Sequence, residues 1–308
     1  MSEFEPLVYI RGQMVPASQA KLSIYDQGIV LGATVTDLAR TYRHRPFRLD
    51  DHLVRFYESC KYTRLMPAIS LAETRDVSLE LIRHNAQELR PEEDLAIIWF
   101  ITPGENLVYA GAAARTANQQ PTFCIHTFPL PFSTWLRFFR EGAHVVTPSI
   151  RHVPPQCTDP KIKCRSRMHW WLADQEVRLV DPLAVTLLLD LDGNVTETGG
   201  SNFLIVKAGT VISPTARNIL RGISRQNVIE LCATLQIPFV ERDIQVHDVI
   251  NADEAWLTTS PYAIAPVTKI NGVGIADGKP GPMFRRIAAA WSEQVGIDIL
   301  EQILSSSR

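Results

Sequence analysis

Lysine is scarce in this chain: Lys21, Lys61, Lys161, Lys163, Lys207, Lys269 and Lys279 are the only ones among 31 lysines and arginines. A basic excess is missing too, because 33 acidic residues leave a formal net charge of -2. Without a positive stripe the chain has no electrostatic footprint for nucleic acid, so DNA- or RNA-binding is not expected. No apolar run approaches the ~20 residues that a spanning helix needs. The start, "MSEFEPLVYI", is acidic and lacks the basic region and apolar stretch of a secretory signal. A cytoplasmic protein with no membrane partner is expected. Cys60, Cys124, Cys157, Cys164 and Cys232 are odd in number and scattered, with no C-x-x-C spacing. They support neither a disulfide framework nor a zinc site, and no metal is expected.

What is present is a globular balance, with 45% apolar and 21% charged residues over 308 positions. That length allows a sizeable core and two domains. "LVYIRGQMVPAS" reads as two strands around a glycine turn. Leu53, Phe56, Tyr57 and Cys60 then recur at helical spacing, with Asp50 or Asp51 placed to cap the helix. A second helix is expected from about Glu73 to Leu89, stopped by Pro91, followed by strands in "DLAIIWFIT" and "PTFCIHTF".

"PLPFSTW" gathers proline and small residues, and predicts a linker over 129–135 between a small α+β domain (1–128) and a larger one (136–308). In the second part, strand "AHVVTPS" and helix "MHWWLADQEVRLV" precede "LAVTLLLDLDGNVTE" and "SNFLIVKAGTVISP", which carry antiparallel hairpin chemistry. A helix over 223–235, a strand at "IPFVE", a short helix over 246–250, a strand at "EAWLTT" and a helix over 283–295 complete the pattern. The fold class expected is α+β.

"DPKIKCRSRMHW" places two lysines two residues apart, ahead of an apolar helix. A desolvated lysine can lose its proton and add to an aldehyde, which an arginine cannot do. Glu197 is expected in a turn between strands, within "NVTETGGSNFLIV", where a carboxylate can keep a pyridine nitrogen protonated. In "ILRGISRQNVIELCA", Gly222 precedes a helix whose first turn holds Ile223 and Ser224, an arrangement suited to phosphate. Thr258, Thr259 and Ser260 form a second hydroxyl cluster, and His52 and Arg55 share one helical face. Each feature alone also reads as a surface charge or an ordinary helix start. Their order is the stronger signal.

That order resembles the fold-type IV, class IV pyridoxal-phosphate enzymes: branched-chain and D-amino-acid aminotransferases, (R)-selective amine transaminases and aminodeoxychorismate lyases. The resemblance runs through "YIRGQMVP", "DQGIVLGATVTD", "FRLDDHLVRFYESC", "DPKIK", "VTETGGSNFLIV", "ILRGISRQNVIELC" and "APVTKINGVGIADGKPGPMFRRI". It implies that Lys163 holds pyridoxal 5'-phosphate as an internal aldimine and that Lys161 has no family role. It further implies that Arg55, Ile223 and Ser224, with Ser260 or Thr259, bind the phosphate. Glu197 then pairs with the ring nitrogen, and Leu220 packs on the ring. A homodimer is implied, with a larger domain built on an antiparallel, barrel-like sheet.

Departures fall on the substrate side. Relatives often carry an aromatic residue and a glutamate where this chain has Thr36 and Asp37, and "TPGENLVYAG" offers Val108 and Ala110 where D-amino-acid enzymes place an arginine and a histidine. Met168 stands at a tyrosine position of branched-chain enzymes. Arg40, Arg165 and Arg167 are candidates to rebuild carboxylate recognition, and equally read as solvated or interface ion pairs. Arg167 also matches an arginine of the lyase branch. The expected activity is transamination between a small amino acid or amine and a 2-oxo acid. A lyase of the aminodeoxychorismate type and a noncatalytic ligand-binding protein are the alternatives.

Overall fold

A computed structural model describes residues 4–111 and 120–307. Two compact units are present: unit 1 comprises Met1–Leu130 and Ile162–Arg167, and unit 2 comprises Pro131–Lys161 and Met168–Arg308. Residues 162–167, with Lys163 among them, therefore group with the N-terminal unit rather than with the C-terminal one expected to carry that lysine. The stretch 129–135, expected as a linker, instead ends one strand and opens a helix at Phe132.

Unit 1 contains strands β1 (Leu7–Ile10) and β2 (Gln13–Pro16), helix α1 (Gln27–Val30), strands β3 (Val35–Tyr42) and β4 (Arg45–Pro46), helices α2 (Leu49–Thr63) and α3 (Leu71–Asn85), strand β5 (Leu95–Thr102), helix α4 (Leu107–Ala110) and strand β6 (Thr122–Pro129). The strands pair antiparallel in the order β2-β1-β6-β5-β3-β4. Register divides the two faces. Asp37, Trp99, Ile125 and Tyr9 lie opposite one another in one row, and Thr36, Phe100, Cys124 and Ile10 in the next. Because successive strand residues point to opposite faces, the first row joins Leu53, Phe56, Cys60, Leu81 and Ile82 in the main core. The second face carries a smaller cluster of Val8, Phe100 and Cys124, flanked by Ile10, Ala20 and Ile98.

Helix α2 starts without either expected aspartate as its cap. Arg48, in the left-handed region at φ 52°, is the cap residue, and Asp50 and Asp51 sit in the first turn, where a negative charge still favours the helix dipole. Helix α3 begins earlier than expected, in a capping box of Ser70 and Glu73. It stops at Asn85, before Pro91, and the Asn85 amide binds the backbone of Leu7 in both directions, each at 2.8 Å.

Unit 2 contains α5 (Phe132–Arg140), β7 (Ala143–Val146), α6 (Met168–Val180), β8 (Val185–Leu189), β9 (Val195–Thr198), β10 (Asn202–Lys207), β11 (Thr210–Ser213), α7 (Ile223–Thr234), β12 (Phe239–Glu241), α8 (Val246–Ile250), β13 (Glu254–Thr259), β14 (Ala263–Ile270), β15 (Val273–Gly274), α9 (Pro282–Val295) and α10 (Ile299–Leu304). Strands β10, β13, β14, β7, β8 and β9 pair in succession, and Asn202 opposite Glu197 returns the series to β10, closing a barrel. Most of these pairings are antiparallel as expected. Strand β7 instead runs parallel to both β14 and β8, since α6 carries the chain over between β7 and β8. Among the described residues no helix is long and apolar enough to cross a membrane.

Glu254 ties the barrel to α9. Its two oxygens accept from the backbone N–H groups of Met283 (2.7 Å) and Phe284 (2.8 Å) and from Trp256 Nε1 (3.0 Å). A carboxylate reaching in from β13 thus caps a helix that has no local side-chain cap. Helix α10, which the sequence pattern did not reveal, follows after an Asp298 cap.

Candidate active site

In unit 1 the lysine segment is pinned by its backbone. Thr36 N donates to the Lys163 carbonyl at 2.8 Å and Arg165 N to the Thr34 carbonyl at 2.9 Å, around a bridge between Val35 and Cys164. Lys163 N reaches Ser59 Oγ at 3.4 Å, and that hydroxyl donates to the Arg55 carbonyl. Lys163 is half-buried. Lys161 belongs to unit 2, where its ammonium pairs with Asp159 at 2.8 Å.

Arg55 and His52 both turn to Asp37, which is fully buried on the helix-covered face of the sheet. Burial alone raises the Asp37 carboxyl, but the Arg55 charge and the hydrogen bonds from His52 and Arg55 outweigh it and hold the group well below the usual carboxylate range. His52 is lowered, first by burial and then by the cations of Arg55 and Lys163, against the opposing pull of Asp37. A neutral imidazole therefore donates its Nδ1–H to Asp37 at 2.9 Å. The sequence paired His52 with Arg55 through helical spacing, but Asp37 was visible only as a departure beside Thr36.

The four substrate-side candidates diverge. Thr36 is buried, with its hydroxyl donated to the Trp99 carbonyl at 2.9 Å. Arg40 is buried, paired with Asp94 at 3.4 Å and stacked on Tyr42. Its charge serves the interior of unit 1, which does not fit the substrate role expected for it. Arg165 and Arg167 are exposed.

In unit 2, Glu197 lies within β9 rather than in the expected turn, directly opposite Asn202, which in turn faces Thr258 of β13. Its Oε2 accepts from Asn202 Nδ2 (2.9 Å) and Leu220 N (3.1 Å). Its Oε1 lies 3.6 Å from His152 Nε2, beyond hydrogen-bond range. Asn202 also donates to the Leu220 carbonyl at 2.9 Å, so one amide fixes both predicted ring contacts. Neither Asn202 nor His152 was singled out from the sequence. The S-N pair of the family pattern was the available signal for Asn202.

Helix α7 starts at Gly222 with no side-chain cap, leaving the amino end at Ile223 and Ser224 for another acceptor. A Cβ at Gly222 would stand 2.0 Å from Asn202 Oδ1, so the close approach requires glycine. Arg225 anchors the helix through Ser213 Oγ (2.8 Å) and Glu241. The Thr259 hydroxyl donates to the Gly200 carbonyl at 2.5 Å, which takes its proton away from any anion. Thr258 Oγ1, on the same row as Glu197, is buried with no hydrogen-bond partner among the described residues. A carboxylate with one oxygen left to accept, an uncapped helix start and an unsatisfied hydroxyl are an acceptor and donors that fit a phosphorylated pyridine.

A sequence profile, Amino-transferase class IV, matches residues 34–270. A Methanocaldococcus jannaschii protein described as a branched-chain-amino-acid aminotransferase is 30% identical over 281 residues, covering 91% of this chain and 93% of its own. The D-alanine aminotransferase of Bacillus licheniformis is 26% identical over 294 residues, covering 94% and 96%. The branched-chain amino acid aminotransferase from Thermobaculum terrenum, solved in its PLP-bound holo-form, superposes with a TM-score of 0.82 at 22% identity over 97% of each chain. The fold is that of the fold-type IV enzymes, and the chain belongs to the class IV aminotransferases, a family that depends on pyridoxal phosphate.

Proposed function

We propose that the protein is a transaminase that holds pyridoxal 5'-phosphate on Lys163 and exchanges an amino group between a small amino acid or amine and a 2-oxo acid. The observation that carries this reading is the pinning of the Lys163 peptide to β3 on both sides, which gives one of seven lysines a fixed backbone position. When bound, the cofactor supplies an electron sink for the pair released as a substrate Cα–H bond breaks. Lys163 Nζ holds the cofactor at its aldehyde carbon and, once released, moves the proton taken from Cα. Arg55 contributes positive charge toward the phosphate. In unit 2 the N–H groups of Ile223 and Ser224 bind the phosphate, helped by the hydroxyl of Ser260 or Thr259. Glu197 Oε1 accepts the ring N–H, and Leu220 packs against the ring. A homodimer, to be read by sedimentation, is part of the same proposal.

Borohydride reduction of the yellow holoprotein followed by peptide mapping tests the assignment. The label belongs on Lys163, and donor plus 2-oxo acid gives amino exchange. Lys163→Ala abolishes both signals, whereas Lys161→Ala retains them. Full turnover by Lys163→Ala overturns the proposal.

A further inference from the structure

Arg165 is a cation of unit 1 whose charge meets no acceptor among the described residues. Its backbone N–H goes to Thr34, and its guanidinium carbon lies 5.0 Å from the centre of the Phe100 ring. Among the described residues, no carboxylate, carbonyl or hydroxyl accepts a hydrogen bond from that guanidinium. The residue as a whole is exposed, yet loss of water around its charge lowers its basicity, and Arg167 lowers it further. The groups acting on it are a neutral thiol, Cys124, whose pKa burial pushes up to about 12, and Arg167. His126 stands two residues along β6 from Cys124, on the same face, and is held neutral by burial and by the Arg165 charge itself. Among the described residues no acidic group answers the guanidinium on this surface of Phe100, Cys124, Ile10 and Ile98.

Position relative to the lysine gives the site its meaning. Cys164 bridges to Val35, and alternation along an extended segment sends Lys163 and Arg165 off the same side, about 7 Å apart along the chain. That spacing suits one small molecule with a nitrogen at Lys163 and a carboxylate at Arg165. A guanidinium stacked on an aromatic ring keeps its fork of N–H donors in a fixed plane, the geometry that meets a carboxylate bidentately.

We propose that Arg165 selects the substrate by pairing with a carboxylate, so that the enzyme acts on carboxylate-bearing donors in preference to simple amines. This rests on the transaminase reading above. The carboxylate is either the one on Cα or one at the end of an acidic side chain, and Phe100 and Ile98 carry the apolar remainder.

Half-reactions of the holoenzyme, followed by the cofactor's colour change, test this with benzylamine, alanine and glutamate on the wild type, Arg165→Gln and Arg165→Lys. Loss of a charge-assisted pair raises KM about tenfold or more in Arg165→Gln, with kcat nearly unchanged, for every donor whose carboxylate it holds. Benzylamine is unaffected, and Arg165→Lys recovers only part of the loss. Loss with both alanine and glutamate identifies the Cα carboxylate, and loss with glutamate alone identifies the side-chain one. Calorimetric titration with propionate and glutarate reads the same preference without turnover. Equal effects on benzylamine and the amino acids, or no change in any KM, overturn the proposal. A wild-type protein that reacts with no donor and carries no label on Lys163 overturns the transaminase reading and this one with it. Unchanged thermal unfolding of the variants shows that any loss is not one of folding.

Discussion

Asp37 engages the Arg55 guanidinium with both oxygens, Oδ2 to Nε at 2.8 Å and Oδ1 to Nη2 at 2.7 Å. The arginine expected to meet a phosphate is therefore already oriented by a buried carboxylate. Its charge is partly balanced before any ligand arrives, and the pairing fixes its direction.

Replacing that carboxylate removes the buried negative charge that both holds and balances the Arg55 guanidinium. Breaking a buried pair from one side costs about 3–5 kcal/mol, so Asp37→Asn is expected to lower stability on that scale in urea unfolding. It should also weaken pyridoxal phosphate binding, read by equilibrium dialysis. Asp37→Glu, which keeps the charge, is expected to recover a share of the affinity that a purely packing role would not return.

Acid should destabilise unit 1 from just below the ordinary histidine range. The folded-state value of His52 lies under the usual 6.5, so between the two values the unfolded chain binds more protons than the folded one. Stability therefore falls as pH drops through that window. His126 is shifted in the same direction, and Asp37 extends the loss once pH falls below the usual 3.8. Chemical denaturation at a series of pH values should show a flatter dependence below 6.5 for His52→Gln than for the wild type. An unchanged profile would remove His52 from this account.

Asn202 and Gly222 should be coupled. Asn202→Ala takes one of two donors from Glu197 Oε2, which keeps Leu220 N, and one of two from the Leu220 carbonyl, which keeps Gly222 N, so a loss of about 1 kcal/mol per hydrogen bond is expected. Gly222→Ala pushes a methyl into Asn202 Oδ1. In the double variant the obstruction is gone, so its unfolding free energy should be higher than the two single losses add up to. Strict additivity would contradict the contact.

The helix cap provided by Glu254 is testable in the same way. Glu254→Gln keeps the shape but exchanges an ion for an amide before two backbone N–H groups, and about 1–2 kcal/mol of destabilisation is expected. Gly281→Ala, whose Cβ would fall 2.1 Å from the Glu254 carboxyl carbon, should lower the melting temperature more steeply.

Hairpins and long helices were legible because their periods are local: residues 7–16, 95–102 and 168–180 follow alternation or helical spacing unaided. Helix ends were less so. The left-handed Arg48 took the place of an aspartate cap, and the end of α3 depends on Asn85 meeting Leu7, 78 positions away. The parallel placement of β7 depends likewise on a crossover. At the site, motif order pointed to Lys163, Arg55 and Glu197, while the groups that orient them did not stand out. Asp37 becomes meaningful only when β3 sets it facing α2, and Asn202 only when β10 sets it opposite Glu197. Arg40 and Arg165 looked alike in sequence, and burial beside Asp94 separates them.

Because six residues from the middle of the chain complete the N-terminal unit, a fragment ending at Leu130 would inherit the arginine while forfeiting the amine. If Lys163 has the role proposed for it, a protein cut at that boundary is expected to lack the cofactor lysine and to show no transaminase activity. The chain thus leaves the C-terminal unit after Lys161 and re-enters it at Met168, and those two passages are what give the N-terminal unit its only mid-chain lysine.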